Sequence, residues 1–304
     1  MNEIITVLMS TYNGEKYLAE QIDSILKQKD CQVRLIVRDD GSNDATIDIL
    51  KQYQEKGELE WYAGTNMGPA KSFLELVKNS PASSYYAFSD QDDVWDDDKL
   101  SIGITALKKA DKPSLYCSNV RVTDENLHLI KDKAFPDKIN IDFSSVITDS
   151  GNLFGCTMVF NEAMKNYISV RDVPEDIIMH DIWLGCIAAL FGNLVYDSQP
   201  HFSYRNHTES FTVRQNTVRK GMSALEKILY GNRISDSCQC VAFTQYAGRQ
   251  ELTDQGAYEI CCVLNEYRKS LPKRLKLLKI VLNKDDISKK QRILKLLQIV
   301  MNKY

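Results

Sequence analysis

Two closely spaced carboxylates in the segment Ser89-Asp90-Gln91-Asp92-Asp93 are the first candidates for chemistry. If Asp90 and Asp92 end a strand, its alternation points both side chains to the same face. Hard divalent cations take carboxylate oxygens and keep positions free for the oxygens of a phosphate. The spacing therefore predicts that the pair holds Mg²⁺ or Mn²⁺ against a diphosphate, although solvated acids that cap the next helix have the same pattern.

A second polar set, Asp39 with Thr11 and Tyr12, has the chemistry to bind a nucleoside. A carboxylate beyond a buried strand accepts a hydrogen bond from a base N–H or a ribose hydroxyl, and Thr11 and Tyr12 supply a hydroxyl and a ring face. The alternative is structural, because Asp39-Asp40-Gly41-Ser42 is also typical of a turn that leads to a helix cap.

Two further residues, Asp181 and His207, have side chains suited to proton transfer and metal binding. Asp181 lies in a predicted helix over residues 176–191 and fits a general base that takes a proton from an acceptor hydroxyl. His207 closes the string Tyr204-Arg205-Asn206-His207, and a neutral imidazole binds a metal or contacts a diphosphate. A surface acid near a helix start and a packed or exposed histidine are the alternatives at these positions.

Alternating strand and helix signals in the first 120 residues indicate the framework that positions these groups. Short apolar runs predict strands at residues 4–9, 33–37, 59–63 and 85–89. Apolar residues at helical spacing follow each run, and Pro69 suits the first turn of the third helix. This order is typical of βαβ units in an α/β fold, with a mostly parallel central sheet flanked by helices.

A polar, turn-prone cluster follows each of the four predicted strands. The clusters are residues 10–14, 38–42, 64–68 and 89–93. Because ligands of such sheets bind beyond the carboxyl ends of the strands, we expect the four clusters to meet in one site.

The pattern beyond residue 110 is less regular. Residues 111–150 give no clear period, and residues 151–160 read as a strand. Two short strands are predicted at 194–197 and 202–207, and the pattern is helical from about residue 221.

The composition, 43% hydrophobic and 26% charged over 304 residues, is that of a globular protein and excludes a disordered, collagen-like or disulfide-stapled chain. The sequence contains no stretch of about 18 apolar residues, so a membrane-spanning helix is not predicted. The N-terminus also lacks the basic region of a secretory signal, so we expect a cytoplasmic protein. The eight cysteines form no Cys-x-x-Cys pair, which favours reduced thiols over a structural zinc site.

Charge is unevenly distributed along the chain. Residues 265–304 carry 12 Lys or Arg and 3 Asp or Glu, a balance of +9, and the remainder is at −12. The acidic body argues against nucleic-acid binding. In the tail, apolar stripes alternate with lysines, so residues 271–304 are predicted to lie on an anionic membrane as amphipathic helices, or to pack on the catalytic domain or a second copy in a homo-oligomer.

In these motifs the chain resembles the inverting family 2 glycosyltransferases of the GT-A (Rossmann-like) fold, and within them the bacterial rhamnosyltransferases that build cell-wall or capsular polysaccharide. The matching strings occur in the family's order between about residues 3 and 207. They are Met9-Ser10-Thr11-Tyr12-Asn13-Gly14, Arg38-Asp39-Asp40-Gly41-Ser42, Phe88-Ser89-Asp90-Gln91-Asp92-Asp93-Val94-Trp95, Gly155-Cys156-Thr157, His180-Asp181 and Tyr204-Arg205-Asn206-His207.

The resemblance implies a site for a nucleotide-sugar donor. Matching positions contact the base (Thr11, Tyr12 and Asp39), the ribose (Asp90) and the metal (Asp92), and others line the donor pocket (Asn66, Gly68 and Lys71). Lys71 stands where many relatives have Arg, so a bidentate phosphate contact becomes a point charge.

The resemblance also implies the acceptor side of the site. Asp181 matches the catalytic base, and His207 matches a metal or diphosphate contact. Cys156, Thr157 and His180 lie in segments beside the donor sugar and the acceptor. Mg²⁺ or Mn²⁺ is the implied cofactor.

The implied reaction is transfer of a sugar with inversion, foremost L-rhamnose from dTDP-rhamnose, to a hydroxyl of a lipid-linked polysaccharide acceptor at the inner face of the cell membrane. A UDP-hexose-dependent glucosyl- or galactosyltransferase is the first alternative, followed by a sugar nucleotidyltransferase and a non-catalytic nucleotide-binding protein. The implied organisation is a GT-A catalytic domain over residues 1–215, with a nucleotide-sugar half (1–110) and an acceptor half (111–215), and a helical C-terminal extension over 216–304.

Overall fold

The computed structural model describes residues 3–148, 153–171, 179–207, 243, 245–254, 256–283 and 289–300. The chain divides into two compact units. The first unit comprises Met1–Ile141, Ser150–Asp172 and Met179–Asn206, and the second comprises Asp142–Asp149, Val173–Ile178 and His207–Tyr304.

One mixed sheet forms the centre of the first unit. Its strands are β1 (Ile4–Thr11), β2 (Gln32–Asp39), β3 (Glu60–Ala63), β4 (Tyr85–Ser89), β5 (Val94–Trp95), β6 (Ser114–Thr123), β7 (Leu129–Lys131), β8 (Val159–Asn161) and β9 (Asn193–Arg205). Their order is β3-β2-β1-β4-β8-β6-β9-β5, and β7 pairs with β6.

Helices flank this sheet and make up the described part of the second unit. In chain order they are α1 (Leu18–Leu26), α2 (Thr46–Glu55), α3 (Pro69–Asn79), α4 (Lys99–Leu107), α5 (Phe143–Thr148), α6 (Glu162–Ser169), α7 (His180–Phe191), α8 (Arg249–Asp254), α9 (Tyr258–Glu266), α10 (Leu271–Leu282) and α11 (Lys289–Val300). Of these, α5 and α8 to α11 belong to the second unit.

The first four strands confirm the predicted βαβ pattern. Strands β1 to β4 pair in parallel, with Thr11 opposite Asp39 and Met9 opposite Ser89. This register places the carboxyl ends of β1, β2 and β4 at the same edge of the sheet. Helix α3 begins at Pro69 as predicted, since proline suits a first turn whose N–H has no partner.

Both faces of β1 are buried, which explains its continuous apolar run. Ile5, Val7 and Met9 face one core layer, with residues of α1 and α4 such as Ile22 and Leu100. Because side chains alternate along a strand, Thr6 and Leu8 point to the opposite face. Burial of each large aliphatic side chain stabilises the fold by about 1.5–3 kcal/mol.

The second half of the sheet differs from the sequence prediction. Strand β8 is antiparallel to both β4 and β6, so the sheet is mixed, with β6 and β9 again parallel. The strand predicted at 151–160 was wrong in length, because the Gly155–Thr157 segment is a 3₁₀ turn and, from residue 153 onward, strand begins only at Val159. The Thr157 hydroxyl donates to the carbonyl of Phe154, a local bond that favours a turn.

Two other predictions in this half need correction. Residues 111–150, which gave no clear period, contain the ten-residue strand β6, whose pairing register shifts at Asn119. The two short strands predicted at 194–197 and 202–207 are one strand, β9, that follows β6 through those shifts. The helix predicted over 176–191 is described from His180, and residues 176–178 lie outside the described part.

The described helices of the second unit are amphipathic. Ser270 caps α10 by accepting a hydrogen bond from the Lys273 N–H. Leu277, Val281 and Ile299 are buried, while six apolar residues of α10 and α11 are exposed and the others are half-buried. Within the described residues, no helix combines the length and the apolarity needed to cross a bilayer. The domain boundary predicted at 215/216 lies in residues 208–242, outside the described part.

Candidate active site

Asp39 joins the loops that follow β1 and β2. Its Oδ1 accepts hydrogen bonds from the Thr11 hydroxyl at 3.1 Å and the Ser42 hydroxyl at 2.5 Å. Its Oδ2 accepts from the Gly41 and Ser42 N–H groups at 3.1 and 2.9 Å. These four donors and its complete burial make Asp39 a brace for the two loops, in addition to a predicted base contact.

A buried ion pair, Arg38–Asp40, fixes the loop that follows β3. The Arg38 Nη1 lies 2.5 Å from the Asp40 carboxylate. Asp40 also accepts from the N–H groups of Met67 and Gly68, and a Cβ on Gly64 would lie 2.3 Å from the guanidinium. The pair therefore determines where the predicted donor-pocket segment runs.

The predicted donor-pocket residues on this loop and in the first turn of α3 are accessible. Asn66 and Lys71 are exposed, and Gly68 is half-buried. Gly68 has φ +78°, a left-handed conformation that glycine adopts without strain, and it precedes the first turn of α3. Tyr12, predicted to offer its ring to the base, is 44% exposed.

Acidic groups converge after β4. Ligand atoms of Asp90, Asp93 and Cys156 all lie within 4.8 Å of one another. Burial, followed by the charge of Asp92, raises the pKa of Asp90 to about 7. Burial and the charges of Asp92 and Asp90 also raise the pKa of Asp93 well above its usual value. The loop thus concentrates negative charge at a place where a cation relieves the repulsion.

This cluster suits a divalent metal. Asp93 is completely buried, and its Oδ2 has no hydrogen-bond partner among the residues that the structure describes. Carboxylate oxygens match Mg²⁺ and Mn²⁺, whereas the Cys156 thiol belongs to softer metals. The cluster pairs Asp90 with Asp93, while spacing had paired it with Asp92, which is half-buried and acts on Asp90 through its charge. Assignment of Asp92 to the metal stays a prediction.

A buried lysine lies beside the acidic cluster. The Lys99 ammonium is 3.6 Å from the centroid of the Trp95 ring and has no hydrogen-bond partner within the described residues. Burial lowers its pKa to about 7, against the opposing charges of Asp93 and Asp90. Burial thus favours the neutral amine at Lys99, while the neighbouring carboxylates and the Trp95 ring favour the charged form.

Asp181, the predicted base, begins α7 and is buried. Its Oδ1 accepts from the Ile182 N–H at 2.7 Å, and the backbone of Gly155 also hydrogen-bonds the carboxylate. Burial raises its pKa to about 7, which matches a general base at neutral pH. The charge of Asp181 contributes to the raised pKa of Asp90. The neighbouring residues Gly155 and Cys156 link the two carboxylates, because the Gly155 backbone hydrogen-bonds Asp181 and the Cys156 thiol lies within 4.8 Å of an Asp90 oxygen.

The ring of His180 is enclosed by aromatic side chains and is only 3% exposed. It stacks on Phe73 at a centroid distance of 4.2 Å and meets Phe88 edge-on at 4.8 Å. Burial lowers its pKa to about 3, so the ring is neutral. A Cβ on Gly155 would lie 2.4 Å from its Nε2, so the ring and the Gly155–Thr157 turn fit closely. These surroundings favour a supporting role over the predicted sugar contact.

Cys156 and Thr157 have similar surroundings. Both side chains are almost fully buried, and the Thr157 hydroxyl bonds the Phe154 carbonyl. The turn contacts Asp181 through the backbone of Gly155. Because the Cys156 and Thr157 side chains are buried, this arrangement does not favour a sugar contact from them. His207 belongs to the second unit and is half-buried, and its metal role stays a prediction.

Sequence reasoning missed several residues that shape the site. They are Arg38, Asp40, Gln91, Asp93 and Lys99. One signal was available for Lys99, since it shares the buried face of α4 with Gly103 and Leu107 at intervals of four. The bonds made by Gln91 and by the Arg38–Asp40 pair depend on neighbouring loops, which spacing does not reveal.

Comparison with known proteins identifies the class. The family model described as Glycosyl transferase family 2 matches residues 6–168, so the chain belongs to this family of transferases. The fold is the GT-A fold, as predicted.

Individual relatives refine the comparison. The dTDP-rhamnosyl transferase RfbG of Shigella flexneri is 31% identical over 216 residues, covering 66% of this chain and 71% of RfbG. The putative teichuronic acid biosynthesis glycosyltransferase TuaG of Bacillus subtilis is 33% identical over 99 residues, covering 32% of this chain and 39% of TuaG.

Solved structures support the fold. S. aureus TarS 1-349 in complex with UDP superposes with a TM-score of 0.53 at 18% sequence identity. The alignment covers 87% of this chain and 81% of the TarS chain. The mannosyltransferase PcManGT of Pyrobaculum calidifontis, in complex with GDP-Man and Mn²⁺, superposes with a TM-score of 0.52 at 13% sequence identity. The alignment covers 100% of this chain and 87% of the PcManGT chain.

Proposed function

We propose that this chain transfers L-rhamnose from dTDP-rhamnose, with inversion, to a hydroxyl of a saccharide acceptor in cell-wall or capsule biosynthesis. The observation that carries the donor is the 31% identity to a dTDP-rhamnosyl transferase over two thirds of the chain. The Gly155–Thr157 turn supports the transfer chemistry, because its Gly155 backbone hydrogen-bonds Asp181 and its Cys156 thiol lies within 4.8 Å of an Asp90 oxygen.

In the proposed mechanism, Asp181 is the general base. It removes the proton from the acceptor hydroxyl while that oxygen attacks the anomeric carbon on the face opposite the diphosphate. The new bond joins the acceptor oxygen to the anomeric carbon, the bond to the diphosphate oxygen breaks, and dTDP leaves with the bonding electrons. Positive charge develops on the sugar ring in the transition state, as in glycoside hydrolysis. Lys71 is proposed to stabilise the departing diphosphate.

We assign the donor contacts to loops that the fold brings to one edge. The Tyr12 ring faces the base, Thr11 and Asp39 hold that loop and contact the base, and Asp90 contacts the ribose. Asn66 and Gly68 line the donor pocket from the loop fixed by Arg38 and Asp40. Positions of these groups at the ends of parallel strands support the assignment.

We assign the metal, Mg²⁺ or Mn²⁺, to Asp92 with its neighbours Asp90 and Asp93. Bound there, it neutralises charge on the diphosphate. Mn²⁺ in the complex of the similar mannosyltransferase and the crowded carboxylates support this. We expect excess chelator to abolish transfer and Mn²⁺ or Mg²⁺ to restore it; full activity in chelator by protein free of metal contradicts the assignment.

A donor screen tests the proposed function. Purified protein is incubated with dTDP-rhamnose, UDP-glucose or UDP-galactose and candidate acceptors, and release of each nucleoside diphosphate is measured. We expect release of dTDP from dTDP-rhamnose to exceed that of UDP. Preference for a UDP-hexose supports the alternative donor, which the UDP complexes of TarS favour. Turnover that needs a nucleoside triphosphate identifies a nucleotidyltransferase instead.

We also propose that the tail brings the enzyme to a lipid-linked acceptor on the cytoplasmic face of the membrane. Exposed apolar residues form one stripe on each of α10 and α11. They are Leu271, Leu275 and Leu282 on α10, and Ile293, Leu297 and Val300 on α11. Lysines flank them, and the tail's balance of +9 is complementary to anionic lipid but repels a second copy of itself.

A further inference from the structure

We infer that Gln91 is a positioning residue that locks the nucleoside-binding loop to the acidic loop, and that residue 14 is glycine because Gln91 occupies the space of a side chain there. The inference rests on the proposed function only in taking a nucleoside diphosphate as the ligand. Gln91 has no role in the mechanism above, although it lies between Asp90 and Asp92.

The Gln91 side-chain amide hydrogen-bonds both the N–H and the carbonyl of Tyr12. Its Oε1 accepts from the Tyr12 N–H at 2.8 Å, and its Nε2 donates to the Tyr12 carbonyl at 3.1 Å. An amide is the side-chain group that matches one donor and one acceptor in this way, because a carboxylate lacks the donor. Glutamate at position 91 therefore keeps one bond and places lone pairs against the Tyr12 carbonyl.

Neighbours of Tyr12 are anchored elsewhere. The Thr11 hydroxyl bonds Asp39, and the Asn13 N–H donates to the Ser42 hydroxyl at 2.8 Å. These bonds fix the loop to the end of β2. The contact between Tyr12 and Gln91 instead reaches the loop after β4, so it ties the residue that presents a ring to the base to the carboxylates that face the ribose and the metal.

The end of the Gln91 side chain lies close to the backbone of Gly14. A Cβ at residue 14 would lie 2.4 Å from the Gln91 Oε1 and 2.7 Å from its Cδ. Gly14 is not among the residues with positive φ, so its backbone conformation is open to alanine. Alanine at position 14 therefore needs the end of the Gln91 side chain to move, which makes the two positions interdependent.

A double-mutant cycle tests the inference. Gln91→Ala, Gly14→Ala and the double variant are prepared, and dTDP binding is measured by calorimetry. Loss of two hydrogen bonds predicts that Gln91→Ala weakens dTDP binding about tenfold. Gly14→Ala shifts the end of the Gln91 side chain and should weaken dTDP binding by up to the same factor. In the double variant the methyl group enters the vacated space, so binding is no weaker than in Gln91→Ala.

Kinetics separate positioning from general damage. We expect Gln91→Ala to raise the donor KM about tenfold with little change in kcat, and Gln91→Glu to fall between the alanine variant and the parent. Gln54→Ala is the matched control, because the Gln54 amide accepts a hydrogen bond from Trp61 at the end of α2, away from the acidic loop. It should bind dTDP like the parent.

Several outcomes overturn the inference. Parent-like dTDP affinity in Gln91→Ala, or additive losses in the double variant, contradicts it. Gly14→Ala should not lower the melting temperature of the Gln91→Ala variant, even if it lowers that of the parent. A drop that persists in the double variant contradicts the inference. Failure of the parent protein to bind dTDP or UDP counts instead against the proposed function.

Discussion

At the scale of single residues, Asp181 offers the most direct test of the chemistry. Asp181→Asn keeps the size of the side chain and removes the base, so kcat should fall by about two to four orders of magnitude. Nucleotide affinity should remain, because Asp181 acts on the acceptor side. Turnover and dTDP binding are measured on the same folded preparation. Near-normal turnover in the variant excludes Asp181 as the base.

The raised pKa of Asp181 leads to a pH prediction. Burial raises this pKa to about 7, so the carboxyl group is protonated below that pH and cannot accept a proton. We therefore expect kcat to rise with pH and to level off above about 7. A pH profile at saturating donor measures this. An inflection at pH 4 to 5 instead indicates a base with an ordinary carboxyl pKa.

Residue types and spacing predicted part of the site. Thr11 and Asp39 were recognised as polar residues at strand ends, and the structure joins them by a hydrogen bond. His180 was expected beside the sugar, but its ring lies among Phe73 and Phe88. A histidine in a sequence does not reveal its burial, since the aromatic residues around it come from α3 and β4, more than ninety positions earlier in the chain.

At the scale of elements, the turn from α7 into β9 depends on Gly192. A Cβ there would lie 1.6 Å from the Pro113 carbonyl oxygen, which accepts a bond from the Asn193 N–H at 3.0 Å. Gly192→Ala should therefore shift the start of β9 against β6 and lower stability by about 3 kcal/mol or more. Thermal unfolding of the full chain measures the loss.

Gly256→Ala is the control for this prediction. Gly256 has φ +70°, and within the described residues no neighbouring atom lies within 4 Å of the place that a Cβ would take. Alanine there meets backbone strain without a clash, and we expect a loss of about 1 kcal/mol. Equal losses in the two variants contradict a steric role for Gly192.

The elements also show where sequence patterns are informative. Helix α3 was predicted well because its apolar residues recur on one face, and strand β4 because it is a short apolar run that is buried throughout. Strand β6 was missed because Ser118 and Asn119 interrupt its apolar run at the shift in register, and the paired residues of β9 lie far along the chain. Pairing of this kind is decided by tertiary contacts.

At the scale of the whole molecule, the basic tail predicts binding to anionic vesicles. Full-length protein should co-sediment with vesicles containing phosphatidylglycerol and much less with pure phosphatidylcholine. Replacing Leu271 and Leu275, which are 64% and 57% exposed, by serine should reduce pelleting several-fold.

A control pair is available on β7, where Leu129 and Ile130 are 61% and 59% exposed in the first unit. Serine at both positions should leave pelleting unchanged, because no basic tail surrounds them. Equal pelleting by the parent and the α10 variant rules out a membrane role for this stripe.

The antiparallel strand β8 has a consequence for synthesis of the protein. Strands β1 to β4 leave the ribosome first, yet β4 gains its second neighbour only when Val159–Asn161 has been made. Until then the nascent chain presents an unpaired edge, which is a template for aggregation. A truncated product ending near residue 110 should therefore be insoluble or bound to chaperones, which fractionation of expressing cells measures.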